Sequence, residues 1–293
     1  MLVVRKLRVK SFLVDCLDLF WEIESTVEDP LDYGFVVERS ESPGGPWDQL
    51  SQEFSDKYQY RDIRSLPFHR WRTLFYRIRI RHIVSSQTTY SDIAAREPRP
   101  NLEAIEVRRL EALLFQEYIG RAVLVYPVRT FGQRCPNCYD PVTGSKLRSN
   151  CLTCYGKGFT RGYHSPILSR LQIDPSPKHT RMTSTGETQE RNTTGRMPFF
   201  PPIKPHDVLI EAENRRWEVT SLSSTERLRA TLHQEFVIHE LPESDIVYRL
   251  PVNLDDIRNF EANPPRTYTN PHSLEATDDP VLCDHMLRGW GNQ

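Results

Sequence analysis

The chain has 293 residues, 38 basic and 39 acidic side chains, and a formal net charge of −1. That balance excludes a whole-chain electrostatic footprint for nucleic acid, and no apolar run approaches the roughly 20 residues that span a bilayer. A hydrophobic content of 38% with 22 prolines points to two or three domains rich in strands, loops and extended segments.

Residues 1–96 predict a β-domain. Met1–Lys10 mixes apolar and basic residues and lacks the apolar core of a signal peptide, so it reads as a strand of a protein assembled in the cytoplasm. Leu17, Leu19, Trp21 and Ile23 alternate on one face of a second strand. Tyr33–Arg39 follows, then the turn Ser42-Pro-Gly-Gly-Pro46. Trp47–Leu50, Lys57–Ile63, Phe75–His82 and Thr88–Ile93 complete a set that suggests a two-sheet sandwich.

Residues 97–121 predict a linking helix. Asn101 is placed to cap it, and Glu103 and Glu106 suit the positive end of its dipole. Leu102, Ile105, Leu110, Leu113, Leu114 and Tyr118 form a stripe that must dock, and Gly120 ends the helix.

Residues 122–173 predict two strands flanking a metal-clipped excursion. It reads Cys135-Pro-Asn-Cys138, then twelve residues, then Cys151-Leu-Thr-Cys154. Two CxxC turns that face each other make a cage of four sulfurs, the geometry of a closed structural zinc site, with a loop slightly under the usual roughly 15–20 residues. A redox pair is the alternative, but it requires a CxxC that opens a helix after a strand, and Pro136 and Pro141 favour a tight loop. His164 is a substitute ligand that four thiolates make unnecessary. Cys16 and Cys283 are distant in sequence and read as unpaired, which suits a reducing compartment.

Residues 174–205 are polar and then proline-rich, and read as an extended arm that orders against a partner. Residues 206–251 predict a small β-barrel: a hairpin of His206–Ala212 and Arg216–Leu222, then Thr231–Leu241. Trp217 is expected as core filler. Residues 252–293 predict a helical turn over Leu254–Phe260 and a polar tail with Met286, Leu287 and Trp290 as an apolar hook.

Three resemblances follow from these residues. Trp21, the strand opened by Tyr76 and the segment Val37–Trp47 resemble a fibronectin type III domain, which implies a spacer or adhesion module. Cys151-Leu-Thr-Cys154-Tyr-Gly-Lys-Gly158 is similar to one knuckle of DnaJ-type chaperones. Asp207-Val-Leu-Ile-Glu211 with Asn214–Ser221 resembles the small barrel proteins that close the head or join head to tail in tailed bacteriophages. That last resemblance implies a virion structural protein of the neck or head–tail connector, with the tail or baseplate as the other position.

No hydrolase elbow, Walker loop, dinucleotide GxGxxG or HExxH helix is present. His233 and His239, near Glu235 and Glu240, read as surface histidines, and Asp255-Asp256 as a solvated acidic pair. The expectation is therefore a mainly β, non-enzymatic virion protein with structural zinc on Cys135, Cys138, Cys151 and Cys154. It would form a homo-oligomeric ring and contact portal, adaptor or tail subunits, with no membrane partner. The alternative is a zinc-ribbon nucleic-acid binder, from Arg134, Lys146, Arg148, Lys157 and Arg161 interleaved with Tyr139, Tyr155 and Phe159.

Overall fold

The computed structural model describes residues 2–11, 17–24, 28–62, 73–96, 101–140, 142–176, 179–183, 186–227 and 230–262. Cys16, Cys283, most of the basic stretch 65–74 and the tail group Met286, Leu287 and Trp290 lie outside them. The described residues are mainly β, with sixteen strands and two α-helices. The chain divides into two compact units: Met1–Pro100 with Arg129–Gly162, and Asn101–Val128 with Tyr163–Gln293.

In the first unit, β1 (Val4–Lys10), β2 (Leu17–Ile23) and β5 (Gln59–Asp62) form one sheet, ordered β1-β2-β5. The other holds β3 (Tyr33–Ser40), β4 (Asp48–Gln49), β6 (Phe75–His82) and β7 (Thr88–Tyr90) in the order β4-β3-β6-β7, and β8 (Ala94–Ala95) also pairs with β6. Period-two alternation decides what faces inward. Leu17, Leu19, Trp21 and Ile23 are buried with Phe35, Val37, Tyr76, Ile78 and Ile80 of the facing sheet in one core. Burying each aliphatic or Phe side chain there stabilises by roughly 1.5–3 kcal/mol. Trp21 packs between Phe35 and Phe54, at centroid distances of 6.3 and 6.0 Å.

Two buried carboxylates of this unit are held by arginines. The Tyr76 hydroxyl donates to Asp62 at 2.9 Å, and Arg39 holds the same carboxylate. Asp18 is fully buried, and Arg61 donates to it at 2.6 Å. Burial pushes the Asp18 carboxyl above its ordinary range, against the lowering effect of Arg61.

The second unit is built on a closed barrel. Its strands are β9 (Arg121–Tyr126), β10 (Ile167–Ile173), β13 (Asn192–Pro198), β14 (Val208–Glu211), β15 (Arg216–Arg227) and β16 (Ala230–Glu240), ordered β10-β13-β16-β15-β14-β9. β11 (His179–Thr183) and β12 (Gly186–Glu190) make a separate hairpin. The barrel is therefore larger than the expected block 206–251, because the strands flanking the cysteine excursion belong to it. The expected arm 174–205 is also corrected: it contains the hairpin and β13. Its proline-rich end is held by buried Gln234, which accepts from the Ile203 amide and donates to the Pro198 and Pro201 carbonyls, each at 2.8 Å.

Asp207 and Glu211 are buried polar anchors of the barrel. Asp207 is fully buried and accepts the amides of Val128 and Lys204, each at 2.7 Å. Glu211, 1% exposed, accepts the Trp217 indole N–H at 2.8 Å and Arg121 at 2.7 Å. Trp217 fills the core as expected, with its one polar atom satisfied.

The expected linking helix, α1 (Leu102–Leu114), packs on the barrel. The Asn101 side chain caps it, accepting the Glu103 amide at 2.8 Å. The predicted stripe is split. Ala104, Ile105, Arg108 and Ala112 are buried, Ala104 against Ala230 and Leu232, while Leu102, Leu110, Leu114 and Tyr118 are exposed. The small side chains allow a close seam on β16, and a π turn over Phe115–Ile119 carries Tyr118 outward. The last helix, α2 (Leu254–Ala262), contacts β9. Asp255 and Asp256 lie in its first turn, where negative charge is favoured.

Candidate metal centre

Local backbone geometry brings the four cysteines together. The first knuckle folds back through amides that point at the Cys135 carbonyl, to which Tyr139 N–H donates at 3.0 Å. In the second knuckle Lys157 N–H donates to Cys154 at 2.9 Å. Cys135 N–H donates to Gly158 and ties the knuckles together, as does Asn137 Nδ2 to Thr153 Oγ1 at 2.8 Å. Gly162 closes the second turn with a φ of +63°, and a Cβ there would meet the Cys154 carbonyl oxygen at 2.5 Å. Only glycine satisfies both demands.

All four cysteines are buried, and their Sγ atoms lie within 4.8 Å of one another. Cys135 and Cys151 are 3.8 Å apart and Cys138 and Cys154 are 3.2 Å apart. A sulfur tetrahedron with metal–sulfur distances of about 2.3 Å has edges of about 3.8 Å, so the cage has the size a tetrahedral ion needs. Burial raises the Cys135 and Cys138 thiols above their ordinary range. Burial also acts to raise Cys151, but the Thr153 and Cys154 backbone amides, together with the Cys154 and Cys135 side chains, outweigh it and bring this thiol down to about 7. The four cysteines can thus bind a metal ion. His164 is not in the cluster, and its amide bonds the Pro127 carbonyl.

The segment that holds the cage is anchored in the first unit by residues without a local sequence signal. Arg129 and Arg161, at its two ends, converge on Asp56, and Arg161 also reaches Asp29 at 2.6 Å. Phe131 stands edge-on to Tyr58, with centroids 4.9 Å apart.

The basic and aromatic residues around the cage are partly engaged with one another. Arg134 lies over Phe159 and Tyr139, at 4.3 and 5.0 Å, and Phe159 is only 7% exposed. Lys146 donates to the Gly156 carbonyl. Elsewhere, His233 lies near Glu111 and Glu235, whereas His239 is bonded to Asn192, so these two histidines have separate partners.

No protein-family model matches the chain, and no curated protein matches it. No helix among the described residues is long and apolar enough to cross a membrane.

Proposed function

We propose that this chain is a non-enzymatic structural component of a tailed-phage virion, placed in the neck or head–tail connector. It assembles there as a ring against portal, adaptor or tail subunits. The observation that carries this reading is the closed six-stranded barrel, whose buried polar anchors Asp207 and Glu211 fall in the segment that resembles such connector proteins. The strand orders β1-β2-β5 and β4-β3-β6-β7 support the fibronectin type III-like reading of the first unit as a spacer.

In this reading Cys135, Cys138, Cys151 and Cys154 hold a structural zinc ion. Four thiolates fill a tetrahedron and leave no coordination position for a substrate. When bound, the ion clips the two knuckles together and supplies folding free energy on the order of 10 kcal/mol to a segment too small for its own core.

Immunogold electron microscopy of purified particles with antibodies against the chain tests the placement. Label at the junction of head and tail is expected. Label only at the tail tip moves the protein to the baseplate, and particles that lack the chain overturn the reading.

A further inference from the structure

The four cysteines of the cage are not equally accessible. Cys135, Cys138 and Cys154 are at most 1% exposed, whereas Cys151 is 8% exposed. Cys151 lies between Asn150 and Leu152, both of them exposed. An oxidant dissolved in water therefore meets the Cys151 sulfur first.

The sulfurs also have definite neighbours. Cys151 Sγ is 3.8 Å from Cys135 Sγ, and Cys154 Sγ is 3.2 Å from Cys138 Sγ. Both contacts join one knuckle to the other. A disulfide has an S–S distance of about 2.05 Å, so each pair closes by about 1–2 Å on bonding. A bond inside one CxxC turn leaves the two knuckles unlinked.

We propose that hydrogen peroxide converts the zinc-bound cage into two cross-knuckle disulfides, Cys135–Cys151 first and Cys138–Cys154 second. This rests on the zinc reading, in which the ligands are thiolates. The Cys151 sulfur attacks one peroxide oxygen. An S–O bond forms, the O–O bond breaks, and hydroxide leaves and takes a proton to become water. Cys151 is then a sulfenic acid. The Cys135 thiolate attacks the Cys151 sulfur, so the S–S bond forms, the S–O bond breaks, and the oxygen leaves as a second water after taking a proton. The two thiolates lose two electrons and the peroxide gains them. A second peroxide does the same at Cys154 and Cys138, and loss of the thiolates releases the zinc ion. The segment is thus clipped by metal in a reducing compartment and by disulfides in an oxidising one. A virion meets that change when it leaves the cell.

The test is a peroxide titration of the full zinc-loaded chain. A chromophoric chelator reads the zinc, and tryptic mapping without reductant, after free thiols are blocked, reads the bonds. Trypsin cuts after Lys146 and Arg148, between the knuckles. A cross-knuckle bond therefore holds two peptides together, and fragmentation identifies the cysteines. Early in the titration Cys135–Cys151 is expected to exceed any other bond within the cage about tenfold or more. At completion both bonds are expected, the zinc is free, and proteolysis between residues 129 and 162 stays within about twofold of the zinc-bound rate. Bonds within a knuckle, a different first bond in the cage, zinc retained under excess peroxide, or rapid cleavage of the oxidised segment would each overturn the proposal and leave the zinc reading standing. A chain that holds no zinc before oxidation overturns both.

Discussion

Arg129 and Asp56 form a two-point ion pair, with Nη1 2.8 Å from Oδ1 and Nη2 2.5 Å from Oδ2. Their side chains are 5% and 10% exposed. Asp56 also holds Arg161, so one carboxylate fastens both ends of the cysteine-bearing segment. Asp56→Asn removes the charge and keeps a residue that tolerates the left-handed backbone there, where φ is 53°. It takes the opposing charge from a buried guanidinium, and a loss of about 3 kcal/mol is expected in urea denaturation.

Cys154→Ser breaks the cage at a fully buried ligand. Elemental analysis is expected to fall from one zinc per chain to none, with faster proteolysis between residues 129 and 162. Because thiolates are the ligands, protons compete with the metal, and zinc is released as pH falls. A chromophoric chelator follows the release. A wild-type chain without zinc at neutral pH overturns the metal reading.

Gly195 of β13 lies opposite Phe236 of β16, and a Cβ on Gly195 would come within 2.6 Å of the Phe236 ring. The missing side chain makes room for an aromatic that fills the barrel. Gly195→Ala is therefore expected to destabilise the chain by about 1–3 kcal/mol through overpacking. A paired Gly195→Ala/Phe236→Leu variant should recover part of that loss in thermal unfolding.

Alkaline pH should destabilise the fold. The Tyr58, Tyr76 and Tyr163 phenols are raised, first by burial and then by carboxylates that include Asp56, Asp62 and Glu218. Tyr33 is pushed up to about 12, again first by burial. An acid whose pKa is raised by folding loses its proton more readily in the unfolded chain. The stabilisation is thus intact below the ordinary tyrosine value of about 10 and falls as pH rises above it. Urea midpoints across this range should drop, and tyrosinate absorbance should rise together with unfolding.

The β character, the inward faces of β2 and β6, the capped helix and the cluster of four cysteines were all legible in the sequence. Each rests on a short-range pattern: period-two alternation, an Asn before a helical stripe, or paired CxxC turns. Those patterns act over a few residues, and the backbone turns that aim the sulfurs are equally local. The tertiary structure alone decided the rest. Only strand pairing over long sequence separation shows that β9, β10 and β13 close the barrel with β14–β16. The fate of the helix stripe depended on the width of the seam at Ala230 and Leu232, which no helical period encodes. Asp56 looks like any surface aspartate in a loop. Its role exists only because folding brings it to Arg129, 73 residues away, where exclusion of water makes the pair costly to break.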